Sequence, residues 1–240
     1  MRLVLLDQTG GATCTDGSKL TPEILTHFAE AYTIQMNRDY APEYGGNFQT
    51  RVGASPTDLE AGEWPFAFLP TLEDAPGAIA FHSSSGNGMP LLYDGITLAA
   101  TVNGPGNSAS VAGSHEYLET AQDEGANVWC DDGSGNEHAR EVADPVENRA
   151  YKVTCADGFV VWVSDFVLKA WFVPARVGPY SFMASQNLEP DGSQPLTTIN
   201  GYQITRTADP STEKSGMIVT VHGERKRRPD GSRRSRARGA

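Results

Sequence analysis

A chain of 240 residues is long enough to bury a sizeable core without staples, and one large domain is the simplest reading. With 39% hydrophobic, 9% aromatic and 20% charged residues, 25 Gly and 15 Pro, it is not fibrous, collagen-like or wholly disordered; it reads as a loop-rich globular protein. The net charge of −11 is uneven: eight bases and two acids between Glu224 and Ala240 give that end +6 and leave −17 on residues 1–223.

A body that acidic repels nucleic acid over most of its surface. The tail lacks apolar periodicity and is expected to be disordered and to attract anions, as a tether to nucleic acid or an acidic partner or as a solubilising end. Apolar runs such as residues 159–163 fall far short of the ~20 residues of a bilayer span, so a soluble chain with no membrane partner is expected. Cys14, Cys130 and Cys155 are an odd number without CxxC spacing, which indicates neither a disulfide framework nor a zinc knuckle. The first residues read as a strand that meets Asp7 too early for a secretory signal, so no export is expected.

Residues 2–7 form a buried-strand pattern, followed by the turn-rich Thr9-Gly10-Gly11-Ala12-Thr13. A helix comes next: Thr21 can cap it, Pro22 suits its first turn, and Ile24, Phe28 and Tyr32 give one apolar face, with an end expected near Asn37. Residues 47–52, 64–69 and 78–82 read as strands, giving the order β-α-β-β-β. Residues 83–88 read as a loop, and residues 91–102 hold strand material broken at Asp94-Gly95. After Asn103-Gly104-Pro105-Gly106 a second helix is expected from Ser108 to about Glu124. Gly125, Gly133 and Gly135 break up the next region. Residues 151–155 and 159–163 flank Asp157-Gly158, a strong hairpin signal, and Trp171-Phe172-Val173-Pro174 reads as an aromatic loop. A last hairpin is expected through residues 198–206 and 216–222. The fold class is α+β, with one domain over 1–223 and a basic tail over 224–240.

The second helix carries Ser114-His115-Glu116-Tyr117-Leu118-Glu119. His115 and Glu119 are four apart, so on a helix they stack on one face and could share one ion. Glu116, rotated by about 100°, is near enough to contact a water on that ion. This is the logic of the zinc-peptidase His-Glu-x-x-His pattern with a carboxylate in place of the second imidazole. An amphipathic helix with a solvated acidic face would carry the same letters.

A zinc site with an open position needs a third ligand, and Glu141, Asp144 and Glu147 follow, with His138 as a competing imidazole. The same acids could instead be plain surface charges. His82 closes a strand and could line a cleft as a donor to a bound peptide or oxyanion. His27 and His222 have no chemical company in sequence. The cysteines have no evident base nearby, Ser114 belongs to no nucleophile elbow, and no phosphate-cradling glycine loop appears.

Several landmarks occur in order: Asn37-Arg38-Asp39-Tyr40-Ala41-Pro42, Gly77-Ala78-Ile79-Ala80-Phe81-His82, Ser114-His115-Glu116-Tyr117-Leu118-Glu119 with Asp123, Glu141-Val142-Ala143-Asp144, Val163-Ser164-Asp165-Phe166-Val167, Ala170-Trp171-Phe172 and Gly201-Tyr202, then the Arg-rich end. On these, over residues 24–240, the chain resembles a phage- and prophage-type family of zincin-like metallopeptidases. It departs from that family at Asp123-Glu124, where Asp-Pro is usual, and at Ala143, where Cys is usual.

The resemblance implies a zincin-like mixed sheet with a helix packed on it, and an active-site helix following an edge strand that receives substrate by strand addition. The strand at 78–82 or at 91–102 would fill that role. It implies His115 as first ligand, Glu116 as general base, Glu119 as second ligand and Glu141 as third, with Asp144 as substitute or outer partner. His82 or Tyr151 would steady the oxyanion. The expected cofactor is Zn2+ or another divalent ion, since a His/Glu/Glu set also suits harder cations.

The expected activity is peptide-bond hydrolysis on a peptide or protein substrate, in the host cytoplasm or the phage virion. The rival expectation is a non-catalytic virion or assembly protein contacting phage structural proteins, with residues 224–240 binding nucleic acid or an acidic partner.

Overall fold

The computed structural model describes residues 1–85, 89–126, 128–173, 175–188, 196, 198, 201–207 and 217–220. Its centre is a five-stranded sheet of β1 (Arg2–Asp7), β2 (Gln49–Gly53), β3 (Glu63–Leu69), β4 (Ala80–Ser84) and β5 (Pro90–Gly95), in the order β2-β1-β3-β5-β4. β1 runs parallel to β2 and β3, and β3 parallel to β5; β4 pairs antiparallel with β5 and forms an edge. Leu3, Val4, Leu5 and Leu6 are all buried, as a central strand covered on both faces requires.

Helix α1 (Pro22–Ile34) starts where expected: the Ile24 N–H donates to Thr21 Oγ1 at 3.2 Å, with Pro22 in the first turn. It does not end near Asn37. A wide π-helical turn, Gln35–Tyr40, carries the chain into α2 (Ala41–Tyr44), and only Gly45, at φ 85°, stops it. The turn aims buried side chains inward: Gln35 Nε2 donates to the Ser164 carbonyl at 2.8 Å, and Asp39 accepts from the Tyr151 hydroxyl at 2.8 Å. The expected strand over 91–102 ends at Gly95, and Ile96–Leu98 form a 3-10 turn instead.

Helix α3 (Ala109–Gln122) is capped by Ser108, whose Oγ accepts from the Val111 N–H at 3.3 Å. It packs against β4, β5 and β9 (Val160–Ser164), and residues 109–120 are all buried, so the solvated acidic face is overturned. Gly113 permits the close approach: a Cβ there would lie 2.6 Å from the Tyr32 hydroxyl and 3.1 Å from the Phe66 ring. Tyr32 also donates to the Ser110 carbonyl at 2.9 Å and so joins α1 to α3.

Three further pieces enclose α3. β8 (Ala150–Thr154) and β9 form the hairpin that Asp157-Gly158 signals. β6 (Trp129–Asp131) and β7 (Asn136–Ala139) are strands that the glycine-broken stretch concealed. They join β10 (Tyr202–Thr207) and β11 (Met217–Thr220) in an antiparallel sheet, β11-β10-β7-β6. The aromatic stretch is a 3-10 turn, Lys169–Phe172, with Trp171 fully buried; Pro174, His222 and the tail 224–240 lie outside the described residues. The fold is α+β around a mixed sheet with few helices.

Asp165, after β9, ties the enclosure together. Its Oδ1 accepts from the Met183 N–H at 3.0 Å, and its Oδ2 lies 3.7 Å from Arg149 Nε, both side chains buried. Burial is the main cause that lifts the carboxyl from 3.8 to about 6, against the Met183 N–H and Arg149, which pull it down. A folded-state value above the unfolded one stabilises the fold most below about pH 4, and that contribution is lost as pH rises through about 6. Asp165→Asn, which cannot titrate, is expected to flatten the stability curve across that window in urea melts at graded pH. An unaltered slope would show that Asp165 titrates alike in folded and unfolded chains.

Candidate metal centre

Three elements bring ionisable side chains to one place. β4 supplies His82, opposite Leu92 of β5. α3 supplies His115, Glu116 and Glu119. The segment after β7 supplies Glu141 and, in the 3-10 turn Asp144–Val146, Asp144. All six are buried: His82 and His115 are 2% exposed, Glu116 and Glu119 0%, Glu141 2% and Asp144 1%. The reading of Glu141 and Asp144 as surface charges is therefore overturned, while Glu147 is half-buried.

His115 Nε2 lies 3.1 Å from Glu119 Oε1 and 3.1 Å from Asp144 Oδ1. The Asp144 N–H donates to that same Glu119 oxygen at 3.2 Å, which locks the turn onto the helix. His82 Nδ1 lies 2.9 Å from Glu116 Oε2 and 3.6 Å from Glu119 Oε2, and His82 Nε2 lies 3.8 Å from Glu141 Oε2. Two trios have donor atoms mutually within 4.8 Å: His115, Glu116 and Glu119, and His82, Glu119 and Glu141. Glu141 thus meets Glu119 in the company of His82, while the acid beside His115 is Asp144.

Burial by itself depresses the His115 imidazole, but Glu119 and Asp144, by charge and hydrogen bonding, outweigh it and raise its pKa from 6.5 to about 10. Without a metal that ring is a cation held between two acids. One imidazole N–H cannot point well at two oxygens 3.1 Å away, which is the arrangement of acids around a nitrogen that a cation beside it would relieve. His82 gives the same indication. A carboxylate only accepts, so in the neutral ring Nδ1 carries the proton toward Glu116 and Nε2 has the lone pair; Nε2 is buried and has no hydrogen-bond partner among the described residues. Imidazole nitrogen with carboxylate oxygen is a donor set for zinc and for harder divalent ions, so the residues fit a metal.

A seventh group was not read from the sequence. Asp94, on β5, is fully buried, and burial first and the Glu116 charge second push its carboxyl well above the ordinary range. An acid closing an apolar strand was the available signal, and it passed for a turn.

The other candidates stand apart. His138, on β7, lies 3.3 Å from Asp132. Tyr151 is committed to Asp39 through its hydroxyl. His27 has company after all: its Nε2 lies 2.8 Å from Asp157 Oδ2 and its ring stacks on Phe159 at 4.0 Å. Burial raises the thiols of Cys14, Cys130 and Cys155, the last to about 11, which disfavours the thiolate that nucleophilic catalysis needs. Among the described residues no helix is long and apolar enough to cross a membrane. No family model, curated protein or solved structure matches the chain.

Proposed function

We propose that the protein is a zincin-like peptidase dependent on zinc or a similar divalent ion. The observation that carries this reading is the convergence of Glu119 Oε1 and Asp144 Oδ1 on His115 Nε2, both at 3.1 Å, with Glu116 adjoining on the same helix. The frame supports it. β4 is an antiparallel edge strand beside β5, the chain leads from β5 to α3, and zincins take up substrate by adding a strand to such an edge.

In this reading His115, Glu119 and Asp144 hold the ion, with Glu141 beside His82. A bound ion of this kind lowers the pKa of water and polarises a carbonyl. Glu116 takes the proton of the attacking water and returns it to the departing amine. His82 holds Glu116 in orientation through Nδ1, and the neutral ring then has no second N–H with which to fill the expected oxyanion role.

One observation favours a second reading. Every member of the cluster is buried, as in closed structural metal sites. The protein would then be a non-catalytic phage virion or assembly component, with residues 224–240 contacting nucleic acid or an acidic partner. Metal analysis of the purified chain beside a casein-cleavage assay separates the two. Bound metal with cleavage that a chelator stops supports the peptidase; bound metal without cleavage supports the scaffold; a chain with neither disposes of both.

A further inference from the structure

The two donor trios share one residue. Glu119 turns Oε1 to His115 Nε2, at 3.1 Å, and Oε2 to the His82 ring, 3.6 Å from Nδ1, with donor atoms of His82, Glu119 and Glu141 all within 4.8 Å of one another. A carboxylate whose oxygens face different imidazoles is placed as a bridge. On its Oε1 side stand His115 and Asp144; on its Oε2 side stand His82 and Glu141, whose Oε2 is 3.8 Å from His82 Nε2. Building on the metal-binding reading above, we propose that the protein holds two divalent cations side by side, the first among His115, Glu119 and Asp144 and the second among His82, Glu119 and Glu141.

Three independent features support the second position. His82 Nε2 is buried and lacks a hydrogen-bond partner among the described residues, and it is aimed toward Glu141. Its Nδ1 is occupied by Glu116 at 2.9 Å, the carboxylate–imidazole arrangement that fixes a ligating tautomer from behind. Charge counts in the same direction. With both imidazoles neutral as ligands, the carboxylates of Glu116, Glu119, Glu141 and Asp144 bring four negative charges into a region closed to water. Each divalent ion seated among them offsets two of those charges, so a pair of ions matches the number of carboxylates gathered there, and gathered charge in an apolar interior is costly.

The chemical consequence deepens the peptidase reading. In peptide hydrolysis two ions would divide the work, one supplying the activated water and the other polarising the scissile carbonyl oxygen, which one ion with three protein ligands does less well. His82 then has a double duty, ligand through Nε2 and orienting partner of Glu116 through Nδ1.

The test is a count of bound metal. The full chain is loaded with Zn2+, freed of excess by gel filtration and assayed by mass spectrometry of the elements. About two ions per chain are expected in the parent, about one in His82→Gln and in His115→Gln, and fewer than one in Glu119→Ala. Loading with Mn2+ gives a second readout. The parent should give the spin-coupled resonance of a paired centre, and His82→Gln the signal of an isolated ion. Circular dichroism identifies any variant that fails to fold, and for such a variant the parent's Mn2+ spectrum decides, with uncoupled ions overturning the pair. A parent that binds about one ion, with His82→Gln unchanged, overturns the second site and leaves the first reading standing. A parent with no metal overturns both, and a second ion that survives His82→Gln lies elsewhere and overturns the bridge.

Discussion

Glu116→Gln is expected to lower the rate of peptide hydrolysis by about 10²–10⁴-fold while leaving the metal content unchanged. The glutamine has nearly the same shape, and its amide oxygen can still accept from His82 Nδ1, where the carboxylate now sits at 2.9 Å. What is lost is the basic lone pair that removes a proton from water. His115, Glu119 and Asp144 are untouched, so elemental analysis should report the same loading in variant and parent. Activity within a few-fold of the parent would deny Glu116 the role of base. Simultaneous loss of metal would instead make it a ligand, which its place within 4.8 Å of His115 and Glu119 allows.

Removing metal should cost the fold nearly as much as it costs the reaction. Glu116, Glu119, Glu141 and Asp144 are 0 to 2% exposed and repel one another across a few ångströms once no cation lies between them. A ligand present at a thousand times its dissociation constant stabilises by about 4 kcal/mol. For a chain of this size each kcal/mol moves the melting temperature by about 2–4 °C. Dialysis against a chelator is therefore expected to lower the calorimetric midpoint by roughly 8–16 °C, with recovery when Zn2+ is returned. A midpoint that ignores both treatments would mean that the buried carboxylates are compensated within the chain without any metal.

Local signals in the sequence located the helices that frame this centre. Thr21-Pro22 and Ser108 are caps whose chemistry is read within four residues, and Asp157-Gly158 is a turn read within two; all three start or join the elements observed. The end of the first helix was harder, because Pro42 argues for a break and the π-helical turn that carries the chain to Tyr44 leaves no compositional mark. β6 and β7 are three and four residues long among glycines, too short for any period to emerge.

For the centre itself, the i,i+4 spacing of His115 and Glu119 was legible because one helix fixes it. The meeting of His82 with Glu116 spans 34 residues and depends on which strand becomes the sheet edge, which no local pattern states. The choice between Glu141 and Asp144 as the neighbour of His115 was equally closed to the sequence. It turns on the Asp144 N–H bonding Glu119, a contact made by backbone and therefore blind to residue type.

Gly201 shows how far such backbone contacts reach. A Cβ at that position would strike the Asp144 carbonyl oxygen and lie 2.6 Å from the Pro145 carbonyl carbon, so the start of β10 presses directly on the turn that carries Asp144. With residues 109–120 of α3 buried and this turn pinned from outside, an ion held there would exchange only when the enclosure loosens. Exchange has to wait for a transient opening, and its half-life becomes a clock for that opening: isotope-labelled zinc traded at equilibrium would report how often the enclosure breathes, whatever the affinity of the site.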